Sequence, residues 1–409
     1  MPGAKERKPK AKGAPLTVSP ILQRFLKTYE KHCAQTRTAV CPAIKRDLKA
    51  SISDERMLRK FVLVRSEDTS PSLLPISLEP LLLTVRDEGY TLWRELCVWG
   101  LQLSNPEVAR LALLLESRGR PRCSLSTLEL IDCRMDSWSL GRLGLALQFS
   151  GLRSLVLDYF KCGKEELENL CSGLKSSRQL RELSLRFCGL GPQSGPGLGS
   201  LAQGSTVCIL HLDGNNLQSS GALALLRPLA EFAETQGTAQ PAKSSDTPQL
   251  LQAGERGQPT LSHTTALAEA LSTKTASGKK KTKKRKKAIK KKVEDLAETG
   301  PWLVKLHLAD NGIDGKGKGG ESGLLEFIQI LTCLITHSTH LRELDLGNNV
   351  VGEKAAVGIL EALRARKTGK LPILKIKVTP QISSDTFRSI WKNSKKSKMT
   401  LKKKKKVKN

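Results

Sequence analysis

Among ten cysteines the chain has no Cys-x-x-Cys pair, which removes zinc-ribbon and thioredoxin-like spacings. It has no Asn-x-Ser/Thr acceptor, and no apolar run reaches the roughly 18 residues a transmembrane helix needs. The opening Met-Pro-Gly-Ala-Lys-Glu-Arg-Lys lacks the apolar core of a secretory signal. Aromatic residues make up only 4% and none is interleaved with the lysine tracts, so base stacking by those tracts is not indicated. No Ser/His/Asp or Cys/His grouping has a supporting context. Gly312-Ile-Asp-Gly-Lys-Gly-Lys318 nearly spells a phosphate loop, but Gly319 stands where Ser or Thr is needed. These absences lead us to expect a soluble, reduced, intracellular protein with no transmembrane segment, no enzymatic activity, no cofactor and no metal.

Positive charge is abundant but local. Of the net charge of +29, residues 1–13 carry +4, residues 279–292 carry +11 and residues 392–409 carry +10. The rest of the chain is close to balanced. Blocks of like charge repel themselves and rarely fold, so the basicity belongs to tails and an insert.

A spacing recurs through the remainder. Apolar residues fall at relative positions 1, 4, 6 and 11, with Asn or Cys at 9. The copies are Leu125/Leu128/Leu130/Cys133/Met135, Leu152/Leu155/Leu157/Phe160/Cys162 and Leu180/Leu183/Leu185/Cys188/Leu190. They continue as Val207/Leu210/Leu212/Asn215/Leu217, Leu303/Leu306/Leu308/Asn311/Ile313 and Leu341/Leu344/Leu346/Asn349/Val351. The first four start 27, 28 and 27 residues apart. Between copies, apolar residues three and four apart predict helices. The segment after Leu190, rich in Gly and Pro, predicts a short or irregular one. Degenerate copies begin at Trp93 and Leu371, as capping repeats do.

These segments resemble leucine-rich repeats of the ribonuclease-inhibitor-like class. The resemblance implies an α/β leucine-rich-repeat solenoid, with a curved parallel β-sheet on the concave side and α-helices on the convex side. It also implies an Asn ladder at position 9, where Cys fits the same slot. The fold class implies a surface for holding another molecule.

The expected organisation is a disordered basic N-terminus (1–20), a helical N-terminal cap (21–90) and a first solenoid part (91–234). A disordered Lys-rich insertion (235–298), a second solenoid part with C-terminal cap (299–391) and a disordered Lys-rich tail (392–409) follow. A helix is expected over 19–35.

Positions 2, 3, 5, 7 and 8 define the concave face. Position 5 reads Cys97, Glu129, Val156, Ser184, His211, His307, Asp345. Position 7 reads Trp99, Ile131, Asp158, Arg186, Asp213, Ala309, Gly347. Position 8 reads Gly100, Asp132, Tyr159, Phe187, Gly214, Asp310, Asn348. Tyr159 and Phe187 should be neighbours and form an apolar patch. Asp132, Asp158, Asp213, Asp310 and Asp345 should form an acidic band beside Arg186. The candidate partner-binding residues are Trp99, Asp132, Asp158, Tyr159, Arg186, Phe187, His211, Asp213, His307, Asp310 and Asp345. His211 and His307 fall at equivalent places in consecutive coils if the insertion loops out. A metal site there is the lesser reading beside plain polar surface.

The tracts Lys279, Lys280, Lys281, Lys283, Lys284, Arg285, Lys286, Lys287 and Lys402, Lys403, Lys404, Lys405, Lys406 resemble nuclear import signals. They also suit weak attraction to nucleic acid, tubulin tails or other polyanions. The expected function is a non-enzymatic intracellular scaffold that binds a protein partner through the concave face, in cytoplasm or nucleus. A cilium, axoneme or microtubule scaffold is a subtype, and a nuclear or nucleolar RNA-associated protein is the alternative.

Overall fold

The computed structural model describes residues 18–64, 74–116, 124–238, 303–317, 319–379 and 381–395. Their strands form one nine-stranded parallel sheet whose spatial order is the chain order. The strands are β1 (Lys60–Val64), β2 (Glu95–Trp99), β3 (Thr127–Ile131), β4 (Ser154–Val156), β5 (Glu182–Ser184), β6 (Ile209–His211), β7 (Lys305–His307), β8 (Glu343–Leu346) and β9 (Lys375–Val378). The helices are α1 (Val18–Gln35), α2 (Pro42–Ser53), α3 (Glu79–Asp87), α4 (Asn105–Glu116), α5 (Ser137–Leu147) and α6 (Lys164–Lys175). After them come α7 (Gly195–Gly204), α8 (Gln218–Thr238), α9 (Gly320–His337), α10 (Gly352–Thr368) and α11 (Ser384–Ser394).

The repeat spacing builds this sheet directly. Strand pairing aligns the position-4 residues Phe61, Leu96, Leu128, Leu155, Leu183, Leu210, Leu306 and Leu344 into one continuous buried rib that ends on Ile376. Because Ile376 and not Leu374 faces Leu344, the last copy starts at residue 373, two residues after the expected Leu371. Position-6 residues point the same way, by the two-residue strand period. Each buried aliphatic side chain contributes about 1.5–3 kcal/mol. Successive helices pack side by side over these ribs. β6 pairs with β7 in register although 93 residues separate their facing ends.

Position 9 ties adjacent coils together wherever it is Asn, Cys133 or Cys188. Asn215 Nδ2 donates to Leu185 O, Asn311 Nδ2 to Leu212 O and Asn349 Nδ2 to Leu308 O, each at 2.8 Å. The acceptor is always the position-6 carbonyl of the preceding coil. Cys133 and Cys188 donate to the same carbonyls, Val98 O and Leu157 O, at 3.2 Å. The thiol has no acceptor reach comparable to the amide oxygen, which in Asn215 also takes the Cys188 and Leu190 N–H groups.

Two expectations are corrected. Residues 21–90 are not a purely helical cap: Lys60-Phe-Val-Leu-Val is a strand, with Phe61 and Leu63 buried and flanking residues turned out. Its β-branched, alternating pattern wins over the helical reading of its surroundings. The sheet therefore starts one coil before Trp93. At the other boundary, α8 runs to Thr238, past the expected start of the insertion. The glycines after Leu190 also have a positive use. A short 3-10 turn at Pro192–Ser194 leads into a regular α7. A Cβ on Gly195 would meet Gly221 O at 2.3 Å, so this glycine lets α7 and α8 approach closely.

At the N-terminal end, α1 places Phe25 against Phe61 and Tyr90, with Trp93 beside Phe61. At the other end, α11 packs on β9 and α10, with Ile390 buried and Ser394 Oγ accepting the Ile376 N–H. No helix among the described residues is long and apolar enough to cross a membrane.

Candidate functional site

With positions 4 and 6 under the helices, positions 3, 5 and 7 lie on the opposite, open face of the sheet. Position 8 is the first residue of the turn that leaves the strand. Its N–H donates to the position-7 carbonyl of the next coil: Asp132 to Asp158, Tyr159 to Arg186, Phe187 to Asp213, Gly214 to Ala309 and Asp310 to Gly347, at 2.8–3.0 Å. Every position-8 residue from Gly100 to Asn348 sits in the left-handed region, with φ between 51° and 70°. Five of the seven coils place Gly, Asp or Asn there, the residues that tolerate it. Tyr159 (φ 61°) and Phe187 (φ 54°) do not belong to that set.

These two rings stack at the C-terminal rim of the open face, with centroids 4.9 Å apart and planes 11° from parallel. Tyr159 is 54% exposed and Phe187 45%. Phe187 lies over Gly214, where an added Cβ would meet its Cε1 at 2.1 Å. Trp99 is also exposed, at the end of β2 beside Ile131. Trp99, Ile131, Val156, Tyr159 and Phe187 are the apolar side chains of this half of the face, with Glu129 and the Lys60–Glu95 pair among them. Cys97, expected open to solvent, is fully buried, and burial pushes its thiol up to about 12, aided by neighbouring Glu129.

The other half is a charge network. Arg186 Nε donates to Asp213 Oδ2 at 2.9 Å, its Nη2 lies 2.8 Å from His211 Nδ1, and Nη1 is 3.8 Å from Asp158. Asp158 also accepts from Ser184 Oγ at 2.6 Å and the Arg186 N–H at 2.9 Å. Asp213 Oδ1 accepts the Ala309 N–H. Lys377 Nζ donates to Asp345 Oδ2 at 2.6 Å. Burial works to raise the Asp345 carboxyl, but the Lys377 and Gly347 hydrogen bonds outweigh it and hold it below the usual range.

His211 and His307 are brought together, with rings edge-on, centroids 4.5 Å apart and Nδ1 atoms at 3.1 Å. Burial, then Arg186 and His307, push His211 below its ordinary pKa. Burial does the same to His307, against the opposing pull of Asp213, Asp345 and Glu343. His211, Asp213 and His307 are the group among the described residues whose ligand atoms could converge on a metal ion.

The expected acidic band is not one surface. Asp158 and Asp345 are buried and Asp213 is paired with Arg186, so their charge is spent inside the face. Asp132 and Asp310 are exposed turn residues, and the backbone conformation required at position 8 accounts for their type. Sequence reasoning missed Ser184, Glu182, Glu343 and Lys377 as members of the network. The position-3 row, once aligned across strands, is the signal that places Glu182 and Glu343 near the histidines. The tracts at Lys279–Lys287 and Lys402–Lys406 lie outside the described residues.

Comparison with curated protein sequences gives no match. Among solved structures, the tropomodulin C-terminal domain of Caenorhabditis elegans is similar at 12% identity and a TM-score of 0.32, over 58% of this chain and 96% of that chain. A family model described as a leucine-rich repeat matches residues 301–317 and 337–360. Those matched copies contribute β7 and β8, and the earlier coils share their spacing and strand register, with the position-9 hydrogen bond repeated at Cys133, Cys188 and Asn215. The described coils have the architecture of a leucine-rich-repeat solenoid, and two of them match that family's model.

Proposed function

We propose that this protein is a non-enzymatic intracellular scaffold that captures a protein partner on the open face of its sheet. Tyr159 and Phe187 act as the anchors and Trp99 flanks them. The observation that carries this reading is their backbone conformation. A left-handed φ costs an ordinary L-residue about 1–2 kcal/mol, and every other coil avoids that cost with Gly, Asp or Asn. Two bulky aromatics held there, stacked and half exposed, point to a use outside folding. Stacked, pre-ordered rings beside a hydrogen-bonded charged network have the make-up of an interface hot spot.

The basic segments at 279–292 and 392–409 add electrostatic attraction to a polyanion or direct localisation, on the strength of their charge alone. The experiment is affinity capture with the intact chain against Tyr159→Ala/Phe187→Ala, repeated after deletion of 279–292 and 392–409. Loss of two anchors should weaken a captured complex by about thirtyfold or more. The tract deletions should leave capture intact with a shallower salt dependence. A partner held equally by the aromatic variant, and lost with the tracts, would overturn the scaffold reading in favour of an RNA- or other polyanion-binding protein.

A further inference from the structure

His211 and His307 are register partners on β6 and β7, so the sheet itself sets their spacing. Each distal nitrogen faces a carboxylate. His211 Nε2 lies 3.4 Å from Glu182 Oε1, and His307 Nε2 lies 3.9 Å from Glu343 Oε1. A neighbouring carboxylate favours the proton on Nε2, which leaves both Nδ1 lone pairs turned toward each other at 3.1 Å. His307 Nε2 is buried and has no hydrogen-bond partner, with the Glu343 carboxylate opposite it. Two facing lone pairs repel unless a cation or a proton stands between them. Arg186 supplies the cation, with Nη2 on His211 Nδ1 and Nε on Asp213 Oδ2.

Zinc–imidazole bonds of about 2.0–2.1 Å at a tetrahedral angle put two ligand nitrogens about 3.4 Å apart. The Nδ1 pair is near that distance as it stands, and one ligand atom from each of His211, Asp213 and His307 lies within 4.8 Å of the others. We propose that His211 Nδ1, His307 Nδ1 and the Asp213 carboxylate bind a divalent transition-metal ion of zinc type. Arg186 is its competitor: it moves from Asp213 toward Asp158, already 3.8 Å away, when the metal enters. Water takes the remaining position, because the site lies on the open face. Glu182 and Glu343 lie behind the two imidazoles, where their charge favours the Nε2–H tautomer that frees each Nδ1 for the metal.

The test is zinc titration of the full chain against a chromophoric chelator, with cobalt(II) absorption as the second readout. The wild-type chain should take up a single equivalent, and His211→Ala and His307→Ala should each weaken it by at least about tenfold. Arg186→Ala should tighten binding, which a variant that merely loosens the fold would not do. Glu182→Gln and Glu343→Gln, milder changes, should lower affinity while far-UV circular dichroism stays unchanged. Bound cobalt should show visible ligand-field bands without the near-ultraviolet band of sulfur ligation, which separates this site from the free cysteines. Absence of stoichiometric uptake, uptake indifferent to both histidines, or a sulfur band on the cobalt form would overturn the proposal. Partner capture through Tyr159 and Phe187 is read separately and does not depend on the outcome.

Discussion

Glycine normally makes a protein less stable than alanine at the same place, by about 0.5–1 kcal/mol, because it has more chain freedom to lose. At positions 159 and 187 the order should invert. Both substitutions delete the ring, so ring stacking and burial cancel in the comparison. What remains is the backbone, held at φ 61° and 54° by N–H bonds to Arg186 O and Asp213 O. Alanine there keeps a cost of about 1–2 kcal/mol that glycine does not have. Set against the chain-freedom term, glycine should win by about 0.5–1 kcal/mol at each site. The double variant Tyr159→Gly/Phe187→Gly should then exceed Tyr159→Ala/Phe187→Ala by about 1–2 kcal/mol. Val156 lies in β4, where φ is not left-handed, and its Gly and Ala variants should show the ordinary order. The assay is equilibrium urea unfolding of the full chain followed by circular dichroism. Both double variants should lose partner capture alike. Alanine equal to or better than glycine at both sites would refute the strain argument and, with it, the main reason for assigning these rings a role in binding.

Leu183→Asp should unfold neighbouring coils, because it buries an unpaired carboxylate in the position-4 rib, and thermal stability equal to the parent's would contradict the register. Gly214→Ala should displace the Phe187 ring that lies over it, seen as loss of the Tyr159–Phe187 ring-current shifts, together with reduced capture. Glu107 is buried yet its carboxyl is held low: burial works to raise it, and bonds from Ser77 Oγ, Ser104 N, Ser104 Oγ and Leu78 N outweigh that. Its folded pKa is thus below its ordinary value, so its stabilisation is present above the unfolded pKa and is lost as pH falls through the folded one. Glu107→Gln should flatten the acid limb of the stability profile, and an unchanged limb would refute the assignment. Trypsin cleavage within residues 274–292 should leave two fragments that elute together, held by the β6–β7 pairing; separation on dilution would refute that.

The position-4 and position-6 leucines made the sheet legible, because a core face needs only an apolar residue at the right spacing. The Asn and Cys at position 9 were legible for the same reason, since one small donor must reach one carbonyl. β1 was not: Phe61 and Leu63 alternate over only five residues, too short a run to stand out from the helical patterns around it. The Tyr159–Phe187 contact followed from repeat spacing, whereas its strain did not, because φ is imposed by hydrogen bonds from the next coil. The charged half of the face was read least well. A pattern tells which way Asp158, Asp213 and Asp345 point, but not that Arg186 and Lys377 reach across strands to neutralise them.

The seam between β6 and β7 has one more consequence. Because those strands mate in register across 93 intervening residues, the join tolerates a long connection. Doubling a connection there costs only about 0.6 kcal/mol in closure entropy. Lengthening the chain at that join should leave the β6–β7 register, and with it the open face, unchanged.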